Sequence, residues 1–105
     1  MGGDSFEQKR KHKRWYVFEV GALYSDGGSA PCVIGNISAQ GAKVSCELPL
    51  QSGENVVFEL DGFGKIPAEV RHVDGTEAGL LLDIHGERQE AFVAFMDAME
   101  KEYDS

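Results

Sequence analysis

A chain of 105 residues with 42% hydrophobic and 27% charged residues is long enough for one core and too short for two. Its net charge of -8 sets its bulk against DNA and anionic membrane surfaces, which excludes a broad electrostatic nucleic-acid binder. The longest apolar runs, such as residues 78–82, are far too short for a bilayer, and residues 1–5 lack the apolar stretch of a secretion signal, so a cytoplasmic location without membrane insertion is expected.

The charge is unevenly placed. Residues 1–14 hold Lys9, Arg10, Lys11, Lys13 and Arg14 against Asp4 and Glu7, a net +3, which leaves -11 for the remainder. This segment is polar, with Phe6 as its only large apolar residue. It cannot bury enough surface to offset its ordering entropy, and is predicted to be a flexible basic arm over residues 1–14.

From Trp15 the character changes. Residues 15–20 are aromatic and β-branched, predicting a first strand that runs towards Tyr24 and breaks in a loop at residues 25–29. Residues 31–34 and 42–48 read as the next two strands, with residues 36–41 as the connection between them. In the second of these, Ala42, Val44, Cys46 and Leu48 alternate with polar residues. Pro49 and Ser52-Gly53 mark a turn before a strand at 55–60. Asp61-Gly62 and Asp74-Gly75 are hairpin signals around a fifth strand at 65–73, whose Pro67 suggests an edge or a bulge. Residues 78–84 make a sixth strand. Six short strands with regular turns predict a small antiparallel barrel or sandwich.

The period then changes. Phe92, Phe95, Met96, Met99 and Tyr103 fall on one helical face, predicting an amphipathic helix over residues 86–103 packed on the barrel. Cys32 and Cys46 are isolated thiols without metal-ligand spacing, and read as small buried or half-buried residues kept reduced.

Two motifs carry chemistry. Arg10 and Arg14 form an Arg-x-x-x-Arg pair, and a guanidinium offers rigid paired donors for phosphate oxygens or a guanine edge. Asn36, Ser38 and Gly41 form Asn-x-Ser-x-x-Gly: an amide that donates and accepts, a hydroxyl, and a glycine that lets another group come close. Each alone has an ordinary reading, as a solvated charge run and as a turn. Together, in this order, they resemble the PilZ family, whose pattern is Arg-x-x-x-Arg followed by Asp/Asn-x-Ser-x-x-Gly. The resemblance continues through residues 68–71 and 78–82.

That resemblance implies a six-stranded antiparallel β-barrel over residues 15–84 with a C-terminal helix, and a non-catalytic receptor for the bacterial second messenger cyclic di-GMP. By matching position, Arg10 and Arg14 would hold phosphates and guanine edges, Asn36 and Ser38 would read a guanine, and Gly41 would shape the turn. Lys9 stands where some members carry another arginine, and keeps the charge without the planar fork. No cofactor is implied beyond the ligand. The signal would pass to an effector protein in motility, adhesion or exopolysaccharide production. Trp15 reads as a core aromatic at a strand start, and Arg71 and His72, on a strand that would border the site, as surface or structural residues. Two rival readings stay open: a ligand-independent adaptor working through protein contacts, and a small nucleic-acid-binding barrel with a basic arm.

Overall fold

The computed structural model describes residues 13–104. It contains seven strands and one helix: β1 (Arg14–Trp15), β2 (Glu19–Ser25), β3 (Gly28–Ser38), β4 (Gly41–Cys46), β5 (Asn55–Leu60), β6 (Gly64–Asp74), β7 (Glu77–Leu82) and α1 (Gly86–Asp104). Strands β3, β2, β5, β6, β7 and β4 pair in that order, and the β3–β4 ladder closes the ring. Every pairing is antiparallel. The result is a six-stranded barrel without a free long edge.

Alternation decides which side chains face inward. Leu23, Ile34, Val44, Phe58, Leu60, Ile66, Val70, Leu80 and Leu82 are all buried, and their outward neighbours are mostly polar or small. Cys32 and Cys46, directly opposite each other on β3 and β4, are free thiols in this same core. Helix α1 closes one end with Phe92 and Met96, each 0% exposed. Burying two side chains of this size contributes roughly 1.5–3 kcal/mol each. Trp15 stands edge-on to Phe92 at 6.1 Å, and Phe63 does the same at 5.4 Å. Trp15 is therefore the core aromatic that the sequence suggests.

Three expectations need correction. The first strand is two pieces, not one. Between Glu19↔Ile34 and Trp15↔Ile37 the outer chain takes four steps while β3 takes three, so residues 16–18 leave the ladder. Secondly, residues 36–41 are not a free connection. Asn36 and Ser38 belong to β3, Gly41 opens β4, and only Ala39 and Gln40 turn. Thirdly, Pro67 is neither on an edge strand nor at the bulge: the irregularity in β6 falls at Arg71. Pro67 pairs with Val57 on one side, while its carbonyl accepts from Asp83 just beyond the end of β7. Its missing N–H faces that same side, past the last β7 rung, where no ladder bond is lost.

Candidate functional site

The site grows from two bulges. In β3 the register slips between Ile34 and Asn36, leaving Gly35 as the extra residue. In β6 it slips between Val70 and His72, leaving Arg71 extra. Each slip turns the following residue to the outer face of the barrel, where unbulged alternation would put it inside. Asn36 is then level with Lys43, Lys43 with Gly79, and Gly79 with His72. One straight row across β3, β4, β7 and β6 thus presents an amide, an ammonium, a bare backbone position and an imidazole.

Gly79 is what lets the row close. A Cβ there would lie 2.3 Å from His72 Cε1 and 2.7 Å from Nδ1, so the ring occupies the volume that any other residue would fill. Gly79 is buried although it faces outward, while His72 itself is exposed.

Arg14 completes the arrangement from β1. Pairing with Ser38 places it beside the row, and its guanidinium donates to Asn36 Oδ1. Its neighbours in sequence fasten it to the helix. Lys13 Nζ donates to Glu100 at 2.9 Å and lies 3.5 Å from Asp97, and the Trp15 indole N–H donates to Asp97 at 3.0 Å. The Glu100 hydrogen bond, aided by the charges of Glu100 and Asp97, holds the Lys13 ammonium above the usual lysine range against a smaller opposing effect of desolvation.

The other motif residues have local tasks. Ser38 is 2% exposed; its hydroxyl accepts from the N–H groups of Gln40 (3.2 Å) and Gly41 (3.1 Å) and donates to the Gly41 carbonyl (3.3 Å). It holds the turn from within. Gly41 does not adopt a positive φ. Its need is space, because a Cβ would come 2.8 Å from the Leu80 carbonyl oxygen on the neighbouring strand. Lys9 and Arg10, the rest of the predicted arm's site residues, lie outside the described residues.

Arg14, Asn36, Gly41, Lys43, Arg71, His72 and Gly79 surround a shallow hollow of about 370 Å³. Three cations line it and, among the described residues, no carboxylate does. The described chain has seven lysines and arginines against sixteen carboxylate side chains, so this clustering is a local reversal of sign. A larger groove of about 580 Å³ lies beside it, bounded by Gln40, Glu69, Asp83, His85 and Gln89. Among the described residues it has two carboxylates and no lysine or arginine, the wrong charge for an anion. The smaller hollow is the better candidate. The motifs pointed to Arg14, Asn36 and Gly41, but not to Lys43, Arg71, His72 and Gly79. A lone Gly35 inside a strand and the polar pair Arg71-His72 after Ile66, Ala68 and Val70 were the available signals.

The family model for the PilZ domain matches residues 8–98. The chain belongs to the PilZ family. Among solved structures, the PilZ domain of CeSA from a cellulose-synthesizing bacterium is similar at a TM-score of 0.65 and 18% identity, over 83% of this chain and 97% of that one. At that identity the likeness speaks for the fold, a closed barrel with a C-terminal helix. No curated protein matches. Among the described residues of this PilZ domain, no helix is long and apolar enough to cross a membrane, and no cluster of His, Cys, Asp or Glu could hold a metal ion.

Proposed function

We propose that this PilZ domain is a receptor for cyclic di-GMP, the ligand that PilZ domains generally bind, and that the hollow at the Asn36–Lys43–Gly79–His72 row is its site. The observation that carries the reading is the charge of that hollow: Arg14, Lys43 and Arg71 converge with no carboxylate among the described residues that line it, on an otherwise acidic protein. A cyclic dinucleotide offers two phosphates for guanidinium and ammonium groups, and purine faces and edges for a ring and an amide. Arg14 pairs with phosphate or a guanine edge, Arg10 adds a second guanidinium, and Lys9 adds charge. Asn36 reads a base edge, with Ser38 and Gly41 keeping its strand and turn in place. His72, seated over Gly79, gives a base a surface to lie against. Binding alters the arm and its attachment to α1, and a partner protein reads that change in motility, adhesion or exopolysaccharide control.

Isothermal titration calorimetry with cyclic di-GMP tests this. Saturable binding that weakens with salt is expected, as is loss of most binding in Arg14→Ala with the unfolding of the free protein unchanged. No heat at high micromolar ligand in low salt would overturn the receptor reading and leave the adaptor. Preference for single-stranded RNA over the dinucleotide would favour the nucleic-acid barrel.

A further inference from the structure

Tyr16, Phe18 and Val20 are 74%, 78% and 59% exposed, at alternate positions of one extended segment. Val17 between them is buried, so the three point outward together. Scattered exposed apolar residues are ordinary, but these are contiguous and uncover roughly 400 Å², the scale at which a patch marks an interaction.

The strip is held in place. Although residues 16–18 are outside the ladder, the Tyr103 hydroxyl accepts from the Phe18 N–H (3.2 Å) and lies 2.9 Å from the Phe18 carbonyl oxygen and 2.6 Å from Glu19 Oε2, either of which can take its proton. One side chain from the end of α1 thus fixes the backbone that carries the exposed rings. Beside Val20 is a hollow of about 230 Å³ formed by Gly21, Ala22, Glu59 and Asp61. Among the described residues, no lysine or arginine lines it.

We infer that this strip is a docking surface for a partner protein segment that presents apolar side chains together with lysine or arginine. The apolar groups cover Tyr16, Phe18 and Val20, and the basic group enters the hollow between Glu59 and Asp61. Charge complementarity selects this occupant. A second copy would bring another acidic surface to carboxylates already there, since its described residues hold sixteen acidic groups against seven basic ones. The strip lies on the barrel wall and needs no ligand in the basic hollow, so it stands apart from the cyclic di-GMP reading.

The test uses a short alternating Leu-Lys peptide and its Leu-Glu counterpart, both fluorescently labelled, titrated with the full chain at physiological salt. The Leu-Lys peptide should bind roughly tenfold or more tightly than Leu-Glu. Phe18→Ser and Tyr16→Ser should each weaken it by a similar factor without altering circular dichroism or thermal unfolding, because neither ring is in the core. Asp61→Asn should weaken it less and reduce its salt dependence. Unchanged Leu-Lys affinity in both aromatic variants would overturn the inference. So would a sedimentation dimer that Phe18→Ser dissociates, which would make a second copy the occupant. Nuclear Overhauser contacts between the Phe18 and Phe6 rings would instead assign the strip to the chain's own first residues.

Discussion

Gly21 and Gly79 pose the same steric problem with opposite expected outcomes. A Cβ at Gly21 would lie 2.5 Å from the Glu59 carbonyl oxygen, and one at Gly79 would lie 2.3 Å from His72 Cε1. At position 21 the obstacle is backbone in a paired strand, so Gly21→Ala must part β2 from β5 by about 0.5 Å to reach even a 3.0 Å contact. Such overpacking costs about 1–3 kcal/mol, against about 0.5–1 kcal/mol regained by stiffening the unfolded chain. The net is about 1–2 kcal/mol lost. At position 79 the obstacle is the exposed end of a side chain, which swings away. Gly79→Ala should therefore stay within about 0.5 kcal/mol of wild type. In urea melts followed by Trp15 fluorescence, a slope near 1.5 kcal/mol per molar places the Gly21→Ala midpoint about 1 M lower and the Gly79→Ala midpoint within about 0.3 M. Ligand affinity should reverse the ranking. If His72 stacks on a base as proposed, displacing it removes a surface worth about 1–3 kcal/mol, or roughly 5- to 150-fold in the Kd for cyclic di-GMP. Equal destabilisation by the two variants would refute the steric reasoning. Unchanged affinity in a folded Gly79→Ala would remove His72 from the site.

Other outcomes are expected elsewhere in the molecule. Asp97→Ala leaves the Trp15 indole N–H without its acceptor and should cost about 1–3 kcal/mol in thermal unfolding, with Asp97→Asn recovering most of it. Arg71→Ala removes a cation from the hollow; calorimetry should show affinity for cyclic di-GMP falling about 10- to 100-fold, with a shallower salt dependence. Burial, and then the neighbouring Cys46, push the Cys32 thiol from 9.0 up to about 11, which lowers its thiolate fraction about 100-fold at neutral pH. Iodoacetamide should accordingly label Cys32 in the native protein far more slowly than in urea, as peptide mass mapping would show. Fast native labelling would contradict the burial.

Where local pattern decides structure, the sequence was readable. Strand 55–60 is observed as predicted, and the helix predicted over 86–103 extends one residue further. Both rest on a period of two or 3.6 that needs no partner. Asn36, Arg14 and Gly41 were also readable, as parts of spaced motifs, and they line the hollow. The misreadings concern relations between strands. Residues 16–18 leave the ladder because the outer chain has one residue more than β3 over this stretch, a mismatch that only the pairing reveals. Arg71 and His72 look like ordinary surface residues until β6 is set in register with β7, when His72 falls over Gly79. A bulge is a two-strand property, and one strand's pattern shows only its trace. Lys43 is the same case: it is simply the polar residue of an alternating strand until Gly79 and Asn36 are known to flank it.

The ring of strands is made of two three-stranded meanders, β2–β3–β4 and β5–β6–β7, joined along two seams. Within each meander neighbouring strands are also neighbours in sequence. The β2–β5 and β4–β7 seams join distant segments, and their closure carries the larger loop-closure entropy. Asn36 and Lys43 come from the first meander, Gly79 and His72 from the second, and the row they form crosses the β4–β7 seam. Neither meander alone contains the site. A ligand held there would fasten the barrel where its chain is least continuous, so occupancy would report that the fold is complete as well as that the ligand is present.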